Sequence, residues 1–157
     1  MFKSPSSLSE PTRATICQAL SDALADGLDL HSHVKVAHWN IKGPHFAALH
    51  ALFDSFADSL SGQNDELAER IVTLGGRALG TTRHVAKTSR LAEYPSDVTR
   101  DLDHVRLLAE RFGSYLAGLR AARSVAKEGE DSDSEDLLTG ILRQTEKHTW
   151  FLISTLE

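Results

Sequence analysis

Two histidines and three carboxylates in this sequence have spacings that suit a metal site. His50 and Asp54 are four positions apart, as are Asp65 and Glu69, so the members of each pair share one face of a helix. The eleven positions from Asp54 to Asp65 make three helical turns to within about 20°, which places all four side chains on one stripe. His38 lies on the preceding helix. Imidazole with carboxylates is a sensible ligand set for ferrous iron.

One helix cannot bring both pairs to one metal ion. At the rise of an α-helix, Asp54 and Asp65 lie about 16 Å apart, whereas metal–ligand bonds are about 2 Å long. An antiparallel copy of the helix across a two-fold axis would bring Asp54 of one subunit near Asp65 of the other, giving two equivalent sites. A di-iron site inside one bundle would need paired E-x-x-H motifs; the nearest imitation, Asp101 with His104, has no matching partner.

Four helices are predicted to position these residues. Their apolar stripes and breaks predict bounds of about 11–40, 44–74, 96–127 and 132–157. Gly75-Gly76 ends the second helix, residues 77–95 form a long crossover, and Ser132 with Glu135 forms a capping box for the fourth. Four long helices with a long connection between the second and third predict an all-α, ferritin-like four-helix bundle.

The 157 residues suit one domain, with residues 1–11 as a flexible tail and 12–157 as the folded unit. The net charge of −5 suits a protein that attracts cations and disfavours a general DNA-binding surface. The single cysteine, Cys17, excludes an intrachain disulfide and is interpreted as a core residue in a cytoplasmic protein. The sequence contains no secretory signal and no apolar run of membrane-spanning length.

A long motif gives this pattern a family context. Residues 38–54 read H-W-N-x-x-G-x-x-F-x-x-L-H-x-x-F-D, and Gly75-Gly76, the run 78–82, Tyr94-Pro95 and Trp150-Phe151 accompany it. From about residue 12 to 157 the chain resembles the Dps family, the DNA-binding proteins from starved cells. The resemblance implies a ferroxidase that oxidises ferrous iron, preferably with hydrogen peroxide. It further implies that ferric mineral is stored in a hollow shell of 12 subunits, which protects DNA from oxidative damage.

The resemblance also implies roles for individual residues. His38, His50 and Asp54 would come from one subunit and Asp65 and Glu69 from its two-fold partner, with iron as the bound metal and zinc as a substitute at the site. In the acidic run near the fourth helix, the resemblance places a three-fold iron-entry pore; Asp136 matches a family pore aspartate, and Asp131 and Asp133 are further candidates.

Several interpretations stay open at this stage. Trp39 suits either packing at a subunit interface or electron donation close to the site. Asp58, four residues after Asp54, is a possible auxiliary ligand. The other histidines are interpreted as polar surface or interface groups: His31, His33, His45, His84, His104 and His148.

Two alternative functions remain. One is a nucleoid-compacting DNA-binding protein, but the first 15 residues contain only Lys3 and Arg13 as basic groups and the chain ends at Glu157 without a basic extension. DNA contact, and with it nucleoid association, is therefore predicted to be weak, although twelve copies would multiply it. The other is a helical interaction protein without iron chemistry, which the complete ligand set disfavours.

Overall fold

The computed structural model describes residues 1–157, which form five α-helices and no β-strand. The helices are α1 (Glu10–Asn40), α2 (Phe46–Thr73), α3 (Thr82–Thr88), α4 (Asp101–Glu128) and α5 (Ser132–Leu156). α1 packs along α2, α4 packs along α5, and contacts between α1 and α4 and between α2 and α5 close a bundle of the four long helices. The predicted all-α class and the long crossover between the second and third long helices are confirmed.

One continuous apolar core joins the four long helices. Its largest fully buried side chains include Phe53, Phe56, Phe112 and Tyr115. Burying each large apolar side chain stabilises the fold by about 1.5–3 kcal/mol relative to its exposure. The core therefore fixes α1 and α2 side by side, and their outward stripes hold the predicted metal ligands.

Two helix starts differ from the prediction, and the Asp101 carboxylate accepts a backbone hydrogen bond at each of them. α2 begins at Phe46 rather than near Pro44, and the His45 backbone N–H donates to Asp101 Oδ2 at 3.0 Å. Asp101 is also the first residue of α4, which begins later than predicted, and its Oδ1 accepts from the Leu102 N–H. Gly43, with φ +150°, lets the backbone pass so close to this carboxylate that any Cβ would collide with it.

The predicted capping box of α5 is wrong by one residue. Asp131, not Ser132, is the N-cap, and its carboxylate accepts from the Ser134 N–H. The Arg70 guanidinium donates to the same carboxylate at 2.6 Å. A carboxylate both caps the helix and stabilises its dipole, and Arg70 adds a partner that the local S-x-x-E pattern does not include.

The crossover contains a short helix that the sequence pattern did not predict. α3 is followed by Arg90, whose guanidinium donates two hydrogen bonds to the buried Asp26 at 2.6 and 2.9 Å. Ser89 donates to Asp29 at 2.6 Å. These contacts join the crossover to α1 through side chains more than fifty positions away along the chain, beyond the reach of local periodicity.

Residues 1–9 precede α1 in a non-helical conformation and contact the end of α2. The Phe2 N–H donates to Gly75 O at 2.7 Å, and Ser4 Oγ donates to Thr73 O at the same distance. The flexibility of residues 1–11 stays a prediction. None of the five helices combines the length and the hydrophobicity that a transmembrane segment requires.

Three histidines expected at the surface or an interface are buried within the protomer: His33, His104 and His148. His148 stacks on Phe56 with ring centroids 4.4 Å apart, and burial lowers its pKa to about 4. Tyr94 Oη lies 2.7 Å from His104 Nδ1. Because burial disfavours the charged imidazolium, these side chains pack as neutral aromatic rings, a role that their identity alone does not predict.

Candidate metal centre

The two histidines of the predicted site are held together by reciprocal hydrogen bonds. His38 Nδ1 lies 2.8 Å from His50 O, and His50 Nδ1 lies 2.9 Å from His38 O. The rings stack with centroids 3.7 Å apart. A carbonyl oxygen only accepts, so each Nδ1 must carry the hydrogen and donate it, and in the corresponding neutral tautomer the lone pair is on Nε2. This tautomer is the one that leaves both Nε2 atoms available to a metal ion.

Asp54 lies beside this pair and also beside a lysine. Its Oδ1 is 3.7 Å from His38 Nε2 and 2.7 Å from Lys35 Nζ. The hydrogen bond from Lys35 is the main cause that lowers the pKa of Asp54. Asp54 is therefore an anion, and its other oxygen makes no hydrogen bond within the protomer.

Asp65 and Glu69 lie further along α2, exposed and without an ion pair inside the protomer. Within one subunit, no cluster of three or more His, Cys, Asp or Glu side chains is placed to hold a metal ion. The structure thus brings together His38, His50 and Asp54 but keeps Asp65 and Glu69 apart from them, as the rise of a helix requires.

Trp39 and Asp58 border this region. The Trp39 side chain is 67% exposed, and Lys35 Nζ lies 5.9 Å from its ring centroid. Asp58 is exposed one turn beyond Asp54. Both interpretations of Trp39, interface packing and electron donation, remain predictions, as does an auxiliary ligand role for Asp58.

The three candidate pore acids differ in their surroundings. Asp136 and Asp133 are exposed, the Asp133 side chain to 86%. Asp131 is 5% exposed and paired with Arg70. The charge of Asp131 is therefore largely neutralised inside the protomer, whereas Asp136 is free to act on solutes outside it.

Lys35 is the residue of this region that the sequence analysis missed. It precedes His38 by three positions, a spacing that places both side chains on one face of α1, and this spacing could have identified it. Asp101 and His104 have a spacing similar to that of a ferritin E-x-x-H motif, but Asp101 contacts the N-terminus of α2 and His104 contacts Tyr94. They take no part in the candidate centre.

Comparison with known proteins assigns the same fold. A family model described as a ferritin-like domain matches residues 17–157. The DNA protection during starvation protein of Agrobacterium fabrum is 38% identical over 150 residues, which are 96% of this chain and 93% of the relative.

Solved structures agree with this assignment. DpsC from Streptomyces coelicolor superposes with a TM-score of 0.94 at 34% identity, over 99% of this chain and 91% of that one. The Dps protein of Vibrio cholerae, described as a ferritin-like diiron-carboxylate protein, gives a TM-score of 0.93 at 27% identity, over 100% and 98% of the two chains.

Proposed function

Because this chain belongs to the Dps family of ferritin-like miniferritins, we propose that it is a ferroxidase and an iron store. It oxidises ferrous iron, prefers hydrogen peroxide as the oxidant, and keeps the ferric mineral inside a shell of 12 subunits. The observation that carries this proposal is the His38–His50 pair beside Asp54, in which each Nδ1 donates to a backbone carbonyl and Nε2 is the ring nitrogen left to bind a metal. An imidazole and carboxylate set of this kind suits ferrous iron, and zinc can substitute for it.

The register of α2 supports a site shared between two subunits. In an antiparallel pair of α2 helices centred between Ser59 and Leu60, Asp54 faces the partner's Asp65. The same register pairs His50 with the partner's Glu69. One symmetric packing of the two helices therefore forms two equivalent sites, one toward each end of the helix pair. Ser61 and Gly62, close to the centre, are small enough for the helices to approach closely.

Exposed apolar groups flank both halves of the proposed shared site. Trp39 and Phe46 lie near the histidines, and Val72 and Leu79 lie beyond Glu69. A depression of about 600 Å³ next to Asp65 is lined in part by Leu24, Leu28 and Ala68. Exposed apolar side chains at both ends of the proposed shared site are compatible with a protein interface, which supports the docking of a second copy here.

The chemistry follows from placing iron ions near each other. Two ferrous ions give up one electron each, and one hydrogen peroxide takes both electrons and two protons to become two water molecules. Because the peroxide is reduced by two electrons, no hydroxyl radical is released. The carboxylates stabilise the more highly charged ferric product by Coulomb attraction.

A spin-trap measurement tests this route. Ferrous iron mixed with peroxide in the presence of the assembled protein is expected to give far fewer hydroxyl-radical adducts than the same iron in buffer. Protein loaded first with zinc, which has no redox chemistry, is the matched control and is expected to lose the protection. If the zinc-free protein gives the same adduct yield as iron in buffer alone, the proposal is contradicted.

Iron must also enter the shell, and we assign the entry pore to the N-terminal part of α5. Three copies of Asp136, with Asp133 close by, would focus cations toward the cavity, while Asp131 is engaged by Arg70. Asp136→Asn is expected to slow iron uptake several-fold at low salt, because the attracting charge is removed. The deficit is expected to shrink at high salt as screening weakens the wild-type field.

Stopped-flow absorbance of ferric product at two ionic strengths measures this effect. Asp97→Asn, the same change at an exposed position of the crossover, serves as the control and is expected to mineralise at the wild-type rate. If the Asp136→Asn protein takes up iron at the wild-type rate at low salt, iron enters the shell elsewhere.

DNA protection in this proposal is chemical and does not need DNA contact. Arg13, one of the two basic residues near the N-terminus, donates to Leu8 O and Leu74 O within the protomer. Its guanidinium is thus engaged within the protomer rather than free for phosphate. DNA binding through this segment therefore remains a weak, secondary interaction in this proposal.

A further inference from the structure

A groove between α2 and α5 holds a second group of oxygen-bearing side chains. Its volume is about 420 Å³, and its polar lining consists of Asp58, Ser59, Gln63, Glu66, Asp136 and Gln144. None of these residues belongs to the histidine and carboxylate set described above. The lining lacks nitrogen and sulfur ligands of the His or Cys type, so its chemistry suits hard cations.

The register between the two helices places Glu66 opposite Asp136. Arg70 of α2 contacts Asp131 at the start of α5, and Phe56 of α2 stacks on His148 further along α5. The helices are therefore antiparallel. One turn back from Arg70 along α2 corresponds to about one turn forward from Asp131 along α5, which brings the two carboxylates to the same level of the groove.

Gln63 supplies an independent indication of a ligand at this level. It precedes Glu66 by three positions on the same face, and the residue is only 7% exposed. Its Nε2 donates to Ser59 Oγ at 3.2 Å, but its carbonyl oxygen Oε1 has no hydrogen-bond partner. A buried carbonyl oxygen without a donor is unfavourable, and a cation or its bound water would satisfy it.

We propose that Glu66, Asp136 and Gln63 Oε1 form a site for a hard cation. Because no three carboxylate or imidazole groups stand within ligand distance of one point, the ion keeps part of its water shell. That the natural occupant is iron rests on the proposed function. The site then shares Asp136 with the proposed pore and lies in the same groove as Asp58, one turn from Asp54, so that it holds iron on its way from the pore to the ferroxidase ligands.

Terbium(III), a hard ion that prefers oxygen ligands, tests the site directly by its luminescence. The titration uses the assembled, iron-free protein that carries His38→Gly/His50→Gly together with Asp65→Asn/Glu69→Gln, in which ligands are removed from both halves of the ferroxidase centre. One saturable site per protomer is expected. Adding Glu66→Gln is expected to weaken terbium binding about tenfold or more, since even outer-shell partners of a metal contribute ~10–100-fold in affinity.

Two further variants separate a specific site from general surface charge. Glu93→Gln, an equal loss of charge on the crossover, is expected to leave terbium affinity unchanged. Gln63→Leu, which keeps the volume but removes the carbonyl oxygen, is expected to weaken binding about threefold. Equal affinity in the Glu66→Gln and Glu93→Gln proteins would overturn the proposal. Failure of the ferroxidase proposal would appear separately, as absent ferrous oxidation in the wild-type protein.

Discussion

Replacing His38 and His50 together by glycine is expected to reduce ferrous oxidation by peroxide to the rate of iron in buffer. Because each Nδ1 donates to a backbone carbonyl, Nε2 is the ring nitrogen that each imidazole offers to a metal ion. The double variant removes both imidazole ligands and leaves Asp54 paired with Lys35. The half of the site that carried the histidines then has no nitrogen ligand. The core around Phe53 and Leu49 is untouched, and the shell is expected to assemble.

Stopped-flow absorbance of the ferric product measures the rate, and size-exclusion chromatography measures assembly. His84→Gly, on the short helix α3, controls for the loss of a histidine elsewhere. A second variant, His38→Gln/His50→Gln, keeps side chains of helical propensity in case glycine disturbs the helix ends. Oxidation at the wild-type rate in either assembled double variant would contradict the assignment of the site.

The ligand stripe could be predicted from sequence because it depends on local helix geometry. His50 and Asp54 are four residues apart and therefore share a helix face, and the same holds for Asp65 and Glu69. The long motif of residues 38–54 added His38 to this set. The four long helices follow from apolar periodicity in the same way. These parts needed no knowledge of contacts between distant segments; the structure confirms the helices, and the metal-binding role of the stripe stays a prediction.

The parts that sequence could not predict depend on distant partners. Asp131, not Ser132, is the cap of α5, and its carboxylate is held by Arg70, 61 positions earlier. At the start of α2, the His45 N–H donates to Asp101, which lies 56 residues later along the chain. His148 is buried because Phe56 and Phe112 of other helices surround it. Only tertiary packing decides such contacts, and local spacing is silent about them.

The shared nature of the site predicts that two inactive proteins can restore each other. One variant carries His38→Gly/His50→Gly and lacks the nitrogen ligands; the other carries Asp65→Asn/Glu69→Gln and lacks the second pair of carboxylates. Each homogeneous shell is expected to be inactive, because every site in it lacks one half. In a mixed two-fold pair, one of the two sites receives both wild-type halves and the other receives both altered halves.

Random pairing makes about half of the two-fold pairs mixed, with one intact site in each, so co-assembled shells are expected to regain about a quarter of the wild-type rate. Co-expression with two different affinity tags, followed by purification on both, isolates shells that contain both variants. Shells assembled from two differently tagged copies of the same variant provide the control and are expected to stay inactive. If each site were formed within one subunit, no mixture could recover activity, since every chain would carry one altered half. Co-assembled shells that bind and oxidise no more iron than the homogeneous variants would therefore rule out the two-fold arrangement.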